Sequence, residues 1–156
     1  MIGVLFVCMG NICRSPLAQS VFEARLRERD LQDRVTVDSC GVAAFAVGRP
    51  PDKRAIEAGL RTGYDVRGQI ARKIQLSDFE TYHYIVTMDN INLLHVRTLA
   101  PPEFDGEMAL FRRYSQRGGD MQIADPYHKD SKVFDALIPQ LEVAALGLLE
   151  HVSARL

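Results

Sequence analysis

The segment Ile2-Gly3-Val4-Leu5-Phe6-Val7-Cys8-Met9-Gly10-Asn11-Ile12-Cys13-Arg14-Ser15-Pro16-Leu17 decides the fold class. Ile2 to Val7 is a short, nearly continuous apolar run, which suits a strand buried on both faces. Gly10 and Asn11 then break the extended pattern. A helix follows from Ser15, which is placed to cap it, and Pro16 suits its first turn. Leu17, Val21, Phe22 and Leu26 recur at helical spacing and form its inner side. Strand, tight loop and helix in that order predict a parallel sheet with helices on both faces. Ligands of such sheets bind beyond the carboxyl ends of the strands, and the first such end is Cys8.

The alternation continues along the chain, with no internal repeat. Arg34 to Ser39 alternates around Val35 and Val37 and predicts a second strand. A Gly- and Pro-punctuated loop covers 41–51, and Asp52 to Leu60 predicts a helix that stops near Gly63. Tyr82 to Met88 contains a third strand, and Ile91 to Leu99 a helix ending before Pro101-Pro102. Met108 to Phe111 is the fourth strand candidate, followed by a polar loop over 118–129. Ser131 to Val152 is the longest helix, with Phe134, Leu137, Ile138, Leu141, Ala145, Leu148 and Val152 as its inner stripe. Pro139 interrupts that helix, removing a donor and crowding the preceding turn, so a local bend is expected there.

Composition narrows the class. With 156 residues, 47% hydrophobic and 25% charged, the chain fits one globular domain over 1–156 and excludes disorder, collagen-like repeats and a disulfide-dependent miniprotein. Nineteen basic and 20 acidic side chains leave a net charge of −1, so no whole-molecule field favours nucleic acid or a membrane, and any anion site must be local. No run approaches the roughly 20 apolar residues of a membrane span. The start lacks the basic region and cleavage site of a signal peptide, and Ile2 stands where myristoylation needs glycine. Three cysteines, Cys8, Cys13 and Cys40, fit a reducing, cytoplasmic setting better than a disulfide frame.

The loop after the first strand carries the chemistry. Cys8 opens it and Arg14 closes it, with five residues between them. Loop amides can converge on an oxyanion there, and the helix N-terminus adds partial positive charge. Gly10 and Asn11 tolerate the left-handed conformations of a tight amide nest, and Arg14 can grip two phosphate oxygens at once. The same field favours the thiolate of Cys8, with the Ser15 hydroxyl placed to donate to it. A thiolate at the floor of an oxyanion cradle points to attack on phosphorus. An acid is still needed for the leaving oxygen, and Asp125, followed by Pro126 and Tyr127 in the late polar loop, is the best candidate.

Cys8 to Ser15, together with Pro16 and the distant Asp125-Pro126-Tyr127, resembles the low-molecular-weight protein tyrosine phosphatase family. The resemblance spans nearly the whole chain and includes Asp38-Ser39, Gly48 with Pro51-Asp52, and Met88-Asp89. It implies a flavodoxin-like three-layer α/β sandwich with a four-stranded parallel sheet of order 2-1-3-4. It implies Cys8 as nucleophile forming a phosphocysteine, Arg14 binding the phosphoryl group, and Asp125 protonating the leaving phenol and then activating water. It implies that Met9, Gly10, Asn11, Ile12 and Cys13 form the phosphate-binding loop, that Asn11 is tied to Ser39, and that Ser15 stabilises the thiolate. Phe45 and Tyr127 would wall the substrate ring. At the position of Ile12 the related bacterial arginine phosphatases carry threonine, so Ile12 favours phosphotyrosine over phosphoarginine. The implied enzyme uses no metal or other cofactor, and the chain has neither Cys-x2-Cys nor His-Glu-x-x-His. The implied partners are phosphotyrosine proteins, a tyrosine kinase among the candidates.

Three positions depart from the family pattern: Cys40 for alanine, Phe45 for a rim Trp or Tyr, and His128 for the second aromatic of Asp-Pro-Tyr-Tyr. Cys13 has two readings, a packed thiol or a disulfide partner that protects Cys8. Cys40 reads as structural, and His83, His95 and His151 as solvated or core histidines. The run Arg112-Arg113-Tyr114-Ser115-Gln116-Arg117 reads as a solvated loop, with recruitment of acidic substrates as the alternative. Two rival functions remain. Arsenate reduction would need further cysteines to relay a disulfide, and none follows Cys40. A phosphoprotein-binding module would have no need of Cys8, Arg14 and Asp125 together. A Walker-type site is excluded, because the chain contains no Gly-Lys pair.

Overall fold

A computed structural model describes residues 1–115 and 118–156. Gln116 and Arg117, the end of the basic run, lie outside the described residues. The strands are β1 (Ile2–Cys8), β2 (Val35–Gly41), β3 (Tyr84–Thr87) and β4 (Glu107–Leu110). They form one parallel sheet in the order β2-β1-β3-β4, the expected topology. The helices are α1 (Arg14–Glu28), α2 (Lys53–Arg61), α3 (Asp78–Thr81), α4 (Asn90–Leu99) and α5 (Ser131–Ser153), with a 3-10 turn at Phe111–Ser115.

The apolar run of β1 is divided residue by residue between two cores. Val4, Phe6 and Cys8 point into the larger one, packed with Leu17, Val21 and Phe22 of α1 and Phe134, Leu141 and Leu148 of α5. Leu5 and Val7 point the other way, onto Phe79 of α3, Ile85 of β3 and Val96 of α4. This period-two division is what makes a continuous apolar strand central in a three-layer structure. All seven residues of the expected α5 stripe are buried, and α5 runs unbroken through Pro139, whose ring is exposed. On that side water can meet the carbonyl that lacks its amide partner.

Several elements differ from expectation at their edges. Helix α1 begins at Arg14 and its N-cap is Cys13, not Ser15; the Ser15 hydroxyl is taken by contacts beneath the loop instead. The third strand is confined to Tyr84–Thr87, because Tyr82 follows directly from α3 and His83 turns its ring back to accept from the Gly3 amide at 3.0 Å. The short helix α3 was not foreseen. Its four residues are too few for helical periodicity to show, and it is held from outside through Asp78. His151 bonds to Glu107 at 3.1 Å and packs on Tyr84 and Tyr114, a structural setting rather than a catalytic one.

The register brings the strand ends to one level. Cys8 pairs with Gly41 and Val7 with Thr87, so the segments after β1, β2 and β3 emerge together. Gly41 lets that happen. A Cβ there would lie 2.7 Å from the Met9 carbonyl oxygen and 2.9 Å from the Gly10 carbonyl carbon, both main-chain atoms that cannot swing aside. Gly41→Ala is therefore expected to destabilise the protein by about 1–3 kcal/mol, as overpacking against backbone does. A urea midpoint equal to that of the parent chain would show instead that the loop yields freely.

Candidate active site

The loop 8–14 is an amide nest by the way its carbonyls are spent. The Cys8 carbonyl accepts from Val42 N at 3.0 Å, that of Met9 from Ala43 N at 3.0 Å, and that of Ile12 from Asp52 N at 2.8 Å. In a planar trans peptide the C=O and the following N–H point in opposite directions. The amides of Met9, Gly10 and Cys13 are thus turned away from the surrounding chain and toward the loop interior. The N-cap Cys13 makes no side-chain hydrogen bond to the first amides of α1. Those donors remain for a bound anion, at the positive end of the helix.

Asn11 holds this shape from behind. It has a left-handed backbone (φ 59°), which asparagine tolerates better than most side chains. Its Nδ2 donates to Ser15 Oγ at 2.8 Å and to Ser39 Oγ at 2.9 Å, and its Oδ1 accepts from Arg72 N at 3.0 Å. All of its amide hydrogens and one acceptor position are used, and the Arg72 contact settles which way the amide faces. The tie to Ser39 is the one the resemblance implies, and the Asn11 side chain does not line the pocket but braces the loop from behind. Gln69, which sequence reasoning missed, extends the brace: it accepts from Ser39 Oγ at 3.3 Å and donates to the Pro16 carbonyl at 2.9 Å.

The pocket above the loop is lined by Cys8, Met9, Gly10, Ile12, Cys13, Arg14, Phe45, Asp125, Tyr127 and His128, with a volume of about 210 Å³. It therefore gathers every expected catalytic residue. Cys8 Sγ lies 3.0 Å from Ser15 Oγ. Because Ser15 Oγ already accepts from Asn11, its own hydrogen can go to the sulfur or to the Cys40 carbonyl at 3.4 Å, and the shorter contact favours sulfur. Burial, reinforced by the Asp52 carboxylate, pushes the Cys13 thiol far above its usual range, which keeps it neutral. Burial likewise raises the Cys40 thiol. All three cysteines are free.

Arg14 is 1% exposed, and its guanidinium is held on one edge. Nη1 donates to Asp89 Oδ2 at 2.6 Å and to the Ile123 carbonyl at 2.8 Å. That leaves Nε and Nη2 for the pocket, and Nη2 stands 3.5 Å from Asp125 Oδ2. Asp89 is itself fixed as the N-cap of α4, accepting from Asn92 N at 2.8 Å in a capping box. Sequence reasoning gave Asp89 no role. An aspartate between an apolar strand and a helix, beside the strand that ends in Cys8, was the available signal. Asp125 accepts from Tyr127 N at 3.1 Å across Pro126, which sets its carboxyl at the pocket mouth. Phe45 and Tyr127 face each other across the opening with ring centroids 6.4 Å apart and planes at 67°. Gly10 makes room beneath, since any side chain there would run into the Phe45 ring.

The chain is similar over nearly its whole length to one phosphatase family. The family model for low molecular weight phosphotyrosine protein phosphatase matches residues 3–156. The chain is 39% identical over 153 residues to the phosphatase of that name from Schizosaccharomyces pombe, covering 97% of each. A crystal structure of a protein tyrosine phosphatase from Entamoeba histolytica, with Hepes in the active site, superposes with a TM-score of 0.94 at 30% identity, covering 99% of this chain and 98% of that one. A Drosophila arginine phosphatase superposes with a TM-score of 0.89 at 33% identity, covering 96% of both chains.

Asp52 stands behind the loop, with its amide on the Ile12 carbonyl at 2.8 Å. Its hydrogen bonds with the Arg54 guanidinium hold its carboxyl below the usual carboxylate range. A depressed folded value means stability that is present in full above the unfolded value and is lost as pH falls through the folded one. Asp52→Asn keeps a good helix cap and removes the charge. It is expected to destabilise by about 1–2 kcal/mol near neutral pH, less than a fully buried charged pair would. The difference from the parent should shrink as pH is lowered below the ordinary carboxylate range. Urea unfolding followed stepwise into acid measures this, and a pH-independent difference would contradict it.

Proposed function

The chain belongs to the low molecular weight phosphotyrosine protein phosphatase family, and on that premise we propose that Cys8, Arg14 and Asp125 carry its phosphotyrosine hydrolysis. The observation that supports the assignment is the convergence of all three in one pocket of about 210 Å³ between two aromatic walls.

In the first half-reaction the Cys8 thiolate attacks phosphorus and the bond to the phenolic oxygen breaks. Asp125, in its acid form, passes its proton to that oxygen, so tyrosine leaves neutral. Arg14 and the inward amides bind the equatorial oxygens as the charge spreads over them, from positions fixed before substrate arrives. In the second half-reaction the Asp125 carboxylate takes a proton from water. The water oxygen bonds to phosphorus, the S–P bond breaks, and phosphate and the Cys8 thiolate are released. Ser15 donates to the sulfur in both directions of its travel between nucleophile and leaving group. Met9, Gly10, Ile12 and Cys13 supply the loop, Asn11 and Ser39 keep its shape, and Phe45 and Tyr127 flank the ring.

Phosphotyrosine is favoured over phosphoarginine because Ile12 lines the pocket with hydrocarbon and gives a phosphoguanidinium no hydroxyl to bond. The similarity to an arginine phosphatase makes phosphoarginine the comparison that matters. Residues 1–156 act in this account as one phosphatase domain. Its partners are phosphotyrosine proteins, a tyrosine kinase among the candidates. Among the described residues no helix is long and apolar enough to cross a membrane. Three free thiols suit work in the reducing cytoplasm.

Phosphate release from a phosphotyrosine peptide and from a phosphoarginine substrate tests the assignment, with chelator and reductant present. Cys8→Ser is expected to abolish turnover, and the parent chain to prefer phosphotyrosine by at least about tenfold, the equivalent of ~1.4 kcal/mol in transition-state binding. Turnover that survives Cys8→Ser would overturn the nucleophile, and a preference for phosphoarginine would overturn the role given to Ile12.

A further inference from the structure

We propose that Arg54 is a positioning residue for the general acid, bracing the loop of Asp125 against the phosphate-binding loop. The inference rests on the assignment of Asp125 above.

The Asp125 loop, residues 118–130, contains neither strand nor helix among its described residues. It is pinned two residues before Asp125, where Ile123 N donates to the Met88 carbonyl at 2.7 Å and the Ile123 carbonyl accepts from Arg14. The pins after Asp125 come from Arg54. Its Nη2 donates to the Tyr127 carbonyl at 2.7 Å, and its Nη1 donates to the Lys129 carbonyl. The guanidinium is itself immobilised. Nε and Nη2 grip the Asp52 carboxylate at 3.0 and 2.9 Å, and the guanidinium carbon lies 4.7 Å from the centre of the Phe134 ring of α5. Asp52 N in turn bonds the Ile12 carbonyl of the phosphate-binding loop. One planar cation thus ties the floor of the pocket to the segment that carries the acid.

Arg54 does not line the pocket, so it acts through Asp125 and not on substrate. The design needs arginine. A lysine ammonium keeps the charge but cannot hold both oxygens of a carboxylate side by side while reaching two separate carbonyls. An acid displaced by about 1 Å no longer meets the leaving oxygen in line, and such displacements reduce rate by up to about a hundredfold.

The test is the dependence of kcat/KM on the leaving phenol, because kcat/KM ends with the step in which the phenol departs. Substrates would run from dinitrophenyl phosphate, whose phenolate leaves without a proton, to phenyl phosphate and a phosphotyrosine peptide, which need one. Arg54→Ala is expected to lower kcat/KM for the last two by about 10- to 100-fold while dinitrophenyl phosphate changes by no more than about threefold. Arg54→Lys, the milder change should the alanine variant fold poorly, is expected to show the same selective loss at smaller size. Asp125→Asn is the reference and should be at least as selective. If Asp125→Asn is selective and the Arg54 variants lower all substrates equally, or none, the positioning role is overturned while the acid assignment stands. If Asp125→Asn itself acts equally on all substrates, the acid assignment falls and the positioning role with it.

Discussion

The buried guanidinium of Arg14 is the constraint on which the rest of the site depends. A cation that is 1% exposed cannot exist without partners, because the protein interior does not replace the water it has lost. Its partners come from two other places in the chain: Asp89 after β3, and the carbonyl of Ile123, two residues before Asp125. Satisfying one charge therefore fixes the relation of three segments: the loop after β1, the start of α4 after β3, and the loop that carries Asp125. The asymmetry of the pairing matters as much as its strength. One nitrogen is consumed by structure, and the opposite edge is left for a ligand with the geometry of phosphate.

Around that charge the polar groups are arranged as a chain with few loose ends. Gln69, Ser39, Asn11 and Ser15 lead by successive hydrogen bonds to Cys8. Each member has its direction set by the one behind it, so the hydroxyl beneath the sulfur is oriented before any substrate is present. The chain is anchored outside the site by Arg72, whose amide meets Asn11 and whose side chain is clamped by Asp78 at 3.0 Å and Asp38 at 3.0 Å. Stiffness of this kind suits a reaction in which little rearranges except charge and one phosphoryl group. The contrast between the two loop cysteines follows from the same economy of space. Cys13 lies beside the Asp52 carboxylate, and Cys8 lies over the Ser15 hydroxyl in the pocket that Arg14 also lines.

Legibility of the fold was greatest where patterns are long. The apolar run of β1, the stripe of α5 and the strand–helix alternation each repeat a period often enough to announce the layer they belong to. It was least where an element is short or its partners are remote. Helix α3 has four residues and no periodicity to read, and its purpose is visible only through Asp78 on Arg72. Ser15 looked like a helix cap because serine beside proline at a helix start usually is one. The hydroxyl is instead drawn under the loop by Asn11 and Cys8, contacts that exist only once the loop has curled.

The sequence by itself determined which residues are proposed to carry the chemistry of this protein: a cysteine and an arginine at fixed spacing at the end of a buried strand, with an aspartate held stiff by the proline after it. The cysteine and the arginine are local in the chain, and the backbone geometry of a strand–loop–helix turn converts their spacing directly into a cradle. Only the tertiary structure decided how the cradle is held and completed. Asp89, Gln69, Arg72, Gly41 and Arg54 act on residues far from them in sequence, and their roles are defined by distances of a few ångströms across different segments. Side-chain type and spacing carry no record of such distances, which are set by packing of the sheet and its two helical layers.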